Sequence, residues 1–69
     1  MSVICPDFVK QRISGMYEAR LHKKVDRRYL SEATGIPLSK IAAMEYGNSL
    51  PDQRSYNRIA KIFDWEHWE

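Results

Sequence analysis

The sequence predicts an all-α protein, a compact bundle of four to five short helices. Apolar residues recur at steps of three and four along most of the chain, which is the spacing of a helix with one buried face. No stretch shows the strict alternation of a β-strand, and the periodic runs are separated by short turns. The chain of 69 residues is expected to form one domain, residues 1–69.

The first predicted helix covers residues 7–22. Its periodic apolar residues are Phe8, Val9, Ile13, Met16, Tyr17 and Leu21. Pro6 or Asp7 suits its first turn, because proline has a helical φ and an aspartate is favoured at the positive end of a helix dipole. Gly15 weakens the middle of this helix, since glycine has a low helix propensity. Residues 1–6 form a short N-terminal tail.

The second predicted helix begins after Asp26, whose short carboxylate side chain makes it a favourable N-cap. Its periodic run consists of Tyr29, Leu30 and Ala33. Gly35 ends this helix after about eight residues, because glycine tolerates the positive φ of a tight turn between helices.

The third predicted helix begins near Pro37 or Leu38 and ends at Gly47. Proline has the φ of a first helical turn, and glycine is the residue that most often follows a helix end. The predicted inward residues are Ile41, Met44 and one side of Leu38 or Glu45.

The fourth predicted helix follows a stretch of turn-forming residues, 48–51. Asp52 is suited to cap it. Its inward residues are expected to be Tyr56, Ile59, Ala60 and Phe63. Residues 64–69 then form a short C-terminal segment that contains Trp65 and Trp68.

Residues that would support catalysis or metal binding are scarce. Cys5 is the only cysteine, and the two histidines, His22 and His67, lie far apart in the sequence. No nucleophile–base pair or phosphate-binding loop can be assembled, so we expect no enzyme activity, no cofactor and no metal. No apolar run has the length of a membrane helix or a signal peptide, which predicts a cytoplasmic protein without membrane contact.

The net charge of +2 does not by itself indicate nucleic-acid binding, but the charges are unevenly distributed. Five basic residues fall within nine positions, opposed there only by Asp26: they are Arg20, Lys23, Lys24, Arg27 and Arg28. Residues 64–69 carry three acids. The basic cluster is either a face for a polyanion or a solvated junction between two helices.

Apolar, capping, small and turn residues follow one another in a characteristic order. This order runs from the start of the second predicted helix to the loop after the third predicted helix. The residues are Val25, Asp26, Leu30, Ser31, Gly35, Ile36, Ile41, Met44, Glu45, Gly47 and Pro51. This order resembles the helix-turn-helix of the Cro and phage-repressor family, also called XRE-like. The likeness extends through Ile59, Ala60, Phe63 and Trp65, and so covers most of the chain.

The resemblance implies a lambda-repressor-like DNA-binding domain whose helix-turn-helix motif spans residues 26–47. It also implies a small phage or mobile-element regulator, located in a bacterial cell or a phage-infected host. The family often pairs an arginine late in the first helix with the glutamate before the turn glycine, so we expect a partly buried ion pair between Arg20 and Glu45.

Three residues differ from the family pattern. Thr34 stands where a larger apolar residue is usual, Pro37 replaces a common serine cap, and Tyr46 replaces a frequent arginine, lysine or asparagine. Little chain follows the fourth helix, where many family members have a longer dimerisation helix. A monomer or a weak homodimer is therefore expected.

The first hypothesis for function is transcriptional regulation by binding double-stranded operator DNA, with the third helix in the major groove. By resemblance, the base-facing residues are Leu38, Ser39 and Ala43, with Lys40, Ala42 and Tyr46 as further candidates. Backbone contacts fall to Arg27, Arg28, Lys40, Asn48 and Ser49. Lys40 is the only strong hydrogen-bond donor among the base-facing set.

The alternative hypothesis is a modulator or antirepressor that uses the same scaffold to bind a partner repressor. Leu38, Ala42, Ala43 and Tyr46 would form a small apolar patch with an aromatic anchor, as at the centres of protein interfaces. A purely structural interpretation also remains, in which Leu38 and Ala42 belong to the core and only Tyr46 is exposed.

Overall fold

Five α-helices follow one another along residues 4–69, the part of the chain that the computed structural model describes. They are α1 (Asp7–Ser14), α2 (Met16–Lys23), α3 (Arg27–Thr34), α4 (Leu38–Glu45) and α5 (Gln53–Phe63). No strand occurs among these residues, so the all-α prediction is confirmed. Residues 1–3 of the predicted tail lie outside the described residues.

The expected single helix over residues 7–22 is wrong at Gly15, where the structure has two helices. Gly15 has φ −95° and ψ 9°, outside the helical region. Its N–H is nevertheless hydrogen-bonded to the carbonyls of Gln11 and Arg12, and its own carbonyl accepts from the N–H of Ala19. Backbone hydrogen bonds therefore continue from α1 to α2 across Gly15. The low helix propensity of glycine permits the change of conformation at this residue.

Helix α3 begins as the sequence predicts. The Asp26 carboxylate accepts a hydrogen bond from the N–H of Tyr29 at 2.7 Å, which satisfies one of the unpaired donors of the first turn. Leu30 and Thr34 form its buried face. Tyr29 and Ala33, although part of the periodic run, are exposed.

Helix α4 follows α3 after the three residues 35–37 and ends in a Schellman motif. Gly47 adopts φ +79°, its N–H donates to the Met44 carbonyl, and the N–H of Asn48 donates to the Ala43 carbonyl. Gly35 ends α3 with φ +75°. Gly35 therefore has the positive φ that the sequence predicts for it, and Gly47, predicted only as the end of the helix, has a positive φ as well.

The core lies where α1 and α2 meet α3, α4 and α5. Its buried residues include Val9, Ile13, Met16, Leu30, Ile36, Ile41, Met44, Tyr56, Ile59, Ala60, Phe63 and Trp68. Asp52 caps α5 as predicted, because its carboxylate accepts from the N–H of Ser55 at 2.8 Å. Tyr17 and Leu21 belong to the predicted apolar pattern of the first helix but are exposed on α2.

Residues 64–69, which we call the closing segment, contain no helix and are held by side chains of α5. The side-chain amide of Asn57 accepts from the N–H of Trp68 at 2.7 Å and donates to its carbonyl at 2.9 Å. Gln53 donates to the same carbonyl at 2.8 Å, and the Tyr56 hydroxyl donates to the Glu66 carbonyl. This segment places Trp68 in the core.

Candidate interaction surface

The surface around α4 is organised by Glu45, whose side chain is 2% exposed. Arg20 on α2 donates to both carboxylate oxygens, from Nε to Oε2 at 2.6 Å and from Nη2 to Oε1 at 3.2 Å. Its remaining nitrogen, Nη1, donates to the Val25 carbonyl. The expected ion pair is thus present, and it joins α2 to the end of α4 with the bidentate geometry that arginine favours.

Arg27, the first residue of α3, is a second partner of the same carboxylate. Its Nε donates to Glu45 Oε1 at 2.9 Å, and its guanidinium lies 5.5 Å from the centre of the Tyr46 ring. The resemblance assigns Arg27 to the DNA backbone and gives no indication of this contact. The sequence carries no signal for it, because Arg27 and Glu45 lie 18 positions apart on different helices.

The pKa of Glu45 reflects two opposing effects. Burial by itself would raise the pKa of this carboxyl, but the hydrogen bonds from Arg20 and Arg27 outweigh burial and hold the pKa below its ordinary value. The hydrogen bond to Glu45 in turn raises the pKa of the Arg27 guanidinium. The Glu45 carboxyl is therefore ionised at neutral pH, and its single negative charge faces two guanidinium groups, which leaves the cluster with one net positive charge.

An open groove of about 700 Å³ runs between the start of α3 and the start of α4; we call it the α3–α4 groove. Its lining residues are Arg20, Asp26, Arg27, Arg28, Leu38, Ser39 and Ala42. The structure thus brings together two of the predicted backbone-contacting residues and three of the predicted base-facing ones. Asp26 is the only acid in this lining, and its carboxylate is engaged in capping α3.

Leu38 is exposed and Ala42 half-buried, so the interpretation that both are core residues is wrong. Of the two residues expected to turn one side inward, Leu38 or Glu45, the structure buries the side chain of Glu45. Leu38 is 50% exposed, because it is the first residue of α4 and lies beside the α3–α4 groove. Ser39 is exposed as well, and Ala43 is half-buried.

Lys40 is directed away from the α3–α4 groove. Its ammonium group donates to the Ser49 hydroxyl at 2.6 Å, in the loop after α4, where Asn48 is exposed. The positive charge of Lys40 also contributes to lowering the pKa of the Asp52 carboxyl, after the larger effect of the hydrogen bonds from Ser55. The only strong donor of the predicted base-facing set thus faces the loop.

A second groove separates α2 from the end of α4. It is lined by Ser14, Tyr17, Glu18, Arg27, Glu45 and Tyr46. Tyr46 is 69% exposed and Tyr17 is 49% exposed, and the Arg20 guanidinium lies 5.3 Å from the centre of the Tyr17 ring. Tyr17 was not among the predicted site residues, because the periodicity of the first helix placed it in the apolar stripe.

Within residues 4–69 no three His, Cys, Asp or Glu side chains come together in a way that could hold a metal ion. No helix in that range has both the length and the apolar character needed to cross a membrane. Comparison with protein-family models, with curated proteins and with solved structures finds no match to this chain.

Proposed function

We propose that this protein is a small DNA-binding transcriptional regulator that places α4 in the major groove of its operator. The supporting observation is the composition of the α3–α4 groove. Arg27 and Arg28, suited to phosphates, border the same groove as Leu38, Ser39 and Ala42, suited to base edges. In a helix-turn-helix, the start of the second helix meets base edges while the preceding helix meets the backbone.

The side chains of this surface favour affinity over sequence discrimination. Leu38 and Ala42 can contact thymine methyl groups, and the Ser39 hydroxyl can donate to or accept from several bases. Lys40, held at Ser49, is placed for a phosphate rather than a base. Most of the binding free energy would then come from phosphate contacts, which depend strongly on salt concentration.

The test uses Arg28, which is exposed and belongs to none of the three ion pairs among residues 4–69. Binding to duplex DNA from the promoter next to the gene is measured by fluorescence anisotropy over a salt series. We expect Arg28→Ala to weaken binding and to reduce the slope of log K against log salt by about 0.9. The matched control is Arg54→Ala, an exposed arginine on α5 outside the α3–α4 groove. Wild-type protein that binds no DNA at 50 mM salt would contradict the proposal.

A second candidate function is binding to a partner repressor. The observation that favours it is the exposure of three large side chains on neighbouring surfaces, Leu38, Tyr17 and Tyr46. Aromatic and aliphatic residues of this kind form the centres of protein interfaces. Sedimentation with a phage-type repressor that the protein binds would show one complex, lost in Leu38→Asp and in Tyr46→Ala. A complex retained by both variants would exclude α4 from that role.

A further inference from the structure

Arg27 differs from the other exposed cations of the basic cluster because its guanidinium is fixed on two sides. Nε is bonded to Glu45 Oε1 at 2.9 Å, and the Tyr46 ring lies 5.5 Å away. The side chain is still 32% exposed. Within residues 4–69, the hydrogen bond that Arg27 makes with full geometry is the one from Nε to Glu45, and a weaker interaction with the Tyr46 hydroxyl also raises the pKa of the guanidinium. Glu45 holds the side chain through Nε, so its Nη groups can donate to a ligand.

Glu45 does not neutralise Arg27, because Arg20 already provides one positive charge for the single carboxylate. Arg20 uses all three of its nitrogens inside the protein, for Glu45 and for the Val25 carbonyl. The surplus positive charge of the cluster is therefore presented by Arg27 alone. It lies on the boundary between the two grooves, since Arg27 lines both of them.

An arginine held in this way binds a tetrahedral anion with less loss of side-chain freedom than a mobile one. Two Nη groups in a fixed plane match two oxygens of a phosphate, and an already ordered side chain avoids most of the ordering cost. We propose that Glu45 and Tyr46 hold Arg27 as a pre-oriented clamp for one backbone phosphate of DNA, which makes Tyr46 a positioning residue and not a base reader. The proposal rests on the DNA-binding function given above.

The first part of the test needs no DNA. The Nε–Hε signals of the arginines are followed by ¹⁵N NMR in the wild type, Tyr46→Ala, Tyr46→Phe and Tyr29→Ala. Tyr29 is a matched control, because it is another exposed tyrosine, on α3, without an arginine near its ring in residues 4–69. We expect a rigid, slowly exchanging Arg27 Hε in the wild type, Tyr46→Phe and Tyr29→Ala, and a mobile one in Tyr46→Ala.

The second part measures binding to operator DNA and to unrelated DNA of equal length. We expect Tyr46→Ala to weaken both by the same factor, about two- to fivefold, because a phosphate contact carries no sequence information. The slope of log K against log salt should remain near the wild-type value in Tyr46→Ala, because Arg27 is still present. Arg27→Ala should reduce this slope by about 0.9. Tyr46→Phe, which keeps the ring, should restore wild-type binding.

The outcomes separate the two proposals. Wild-type protein that binds neither DNA overturns both the DNA-binding function and the phosphate clamp. If the wild type binds DNA and Tyr46→Ala changes the preference for operator over unrelated DNA, Tyr46 reads bases. That result overturns the clamp alone. An Arg27 Hε that is equally mobile in the wild type and in Tyr46→Ala also overturns the clamp alone.

Discussion

At the residue scale, Glu45 shows how a buried charge can fix the geometry of a surface. A carboxylate that is withdrawn from water loses a large hydration free energy, and its ion pairs only partly compensate for that loss. What the arrangement provides is orientation, because Arg20 and Arg27 from two different helices meet one group at the end of α4. Removal of that group would leave Arg20, itself buried, without a counter-charge.

Replacement of this carboxylate should therefore reduce stability in a pH-dependent way. The pKa of Glu45 is lower in the folded protein than in the unfolded chain, so its contribution is fully present above about pH 4.3, the ordinary value, and is lost as the pH falls. We expect Glu45→Gln to lower the free energy of unfolding by about 3 kcal/mol at pH 7. The difference from the wild type should narrow as the pH falls below about 4.3.

Urea unfolding at a series of pH values measures both effects. Glu32→Gln, which changes an exposed carboxylate on α3, is the control and should leave stability nearly unchanged. Part of the acid sensitivity should persist in Glu45→Gln, because the pKa of Asp52 is also lowered by its hydrogen bonds with Ser55. A difference that stays constant from pH 7 to pH 3 would be inconsistent with the assignment to Glu45.

Thr34 illustrates the limit of a resemblance at a single position. The family pattern has a larger apolar residue there, but the buried Thr34 hydroxyl donates to the Leu30 carbonyl at 2.7 Å and accepts from the N–H of Ile36 at 3.3 Å. We expect Thr34→Val to cost about 1–2 kcal/mol, because the Ile36 N–H would be left buried without a partner. Hydrogen exchange of the Ile36 amide should accelerate in Thr34→Val. It should not accelerate in Thr34→Ser, which keeps the hydroxyl. Equal exchange rates in the two variants would refute this explanation.

At the scale of the elements, helix boundaries marked by a side-chain cap or a turn glycine could be predicted from the sequence. The caps at Asp26 and Asp52 and the positive φ at Gly35 and Gly47 depend on interactions within a few residues, which the sequence shows directly. The break at Gly15 could not be located in this way. There the local preference is weak, and the packing of α1 and α2 on the rest of the core decides the conformation.

Gly47 and Gly15 should respond differently to the same substitution. At Gly47 an added Cβ would meet no atom within 4 Å, so Gly47→Ala should cost only the strain of φ +79°, about 1–2 kcal/mol. Gly15→Ala should be neutral or stabilising by up to about 1 kcal/mol, because φ is negative and the added Cβ would lie 3.7 Å from the nearest carbonyl oxygen. Urea unfolding of the two variants makes the comparison, and a destabilised Gly15→Ala would show that the break between α1 and α2 needs glycine itself.

At the scale of the whole molecule, the sequence predicts most of the helices but few of the contacts between side chains, and the one such contact that was expected, Arg20 with Glu45, came from a resemblance. The surface around α4 depends on contacts between residues that are 18 and 25 positions apart, and the bond between Arg27 and Glu45 is visible only in three dimensions. Lys40 is a similar case, since its bond to Ser49 depends on the path of the loop after α4. Sequence spacing places these residues on elements; the packing of the elements decides their partners.

The closing segment completes the core without forming a helix, and its stability should depend on Trp68. Small domains bury a limited fraction of their surface, so one large side chain contributes a considerable share of the total. Trp68 is buried, its ring lies 6.4 Å from the ring of Tyr56, and both of its backbone polar groups are bonded to Asn57. The segment and α5 should therefore unfold together with the rest of the domain.

The expected result is that Trp68→Ala lowers the free energy of unfolding by about 3–5 kcal/mol, the range for removing a buried aromatic side chain. His67→Ala, at the exposed neighbouring position, is the matched control and should change stability by less than about 0.5 kcal/mol. Urea unfolding is followed by circular dichroism and, in parallel, by the fluorescence of the remaining Trp65. If the circular dichroism and fluorescence curves of the wild type coincide, the closing segment and the helices unfold as one unit. A fluorescence transition at lower urea concentration than the circular dichroism transition would show that the segment detaches while the five helices stay folded.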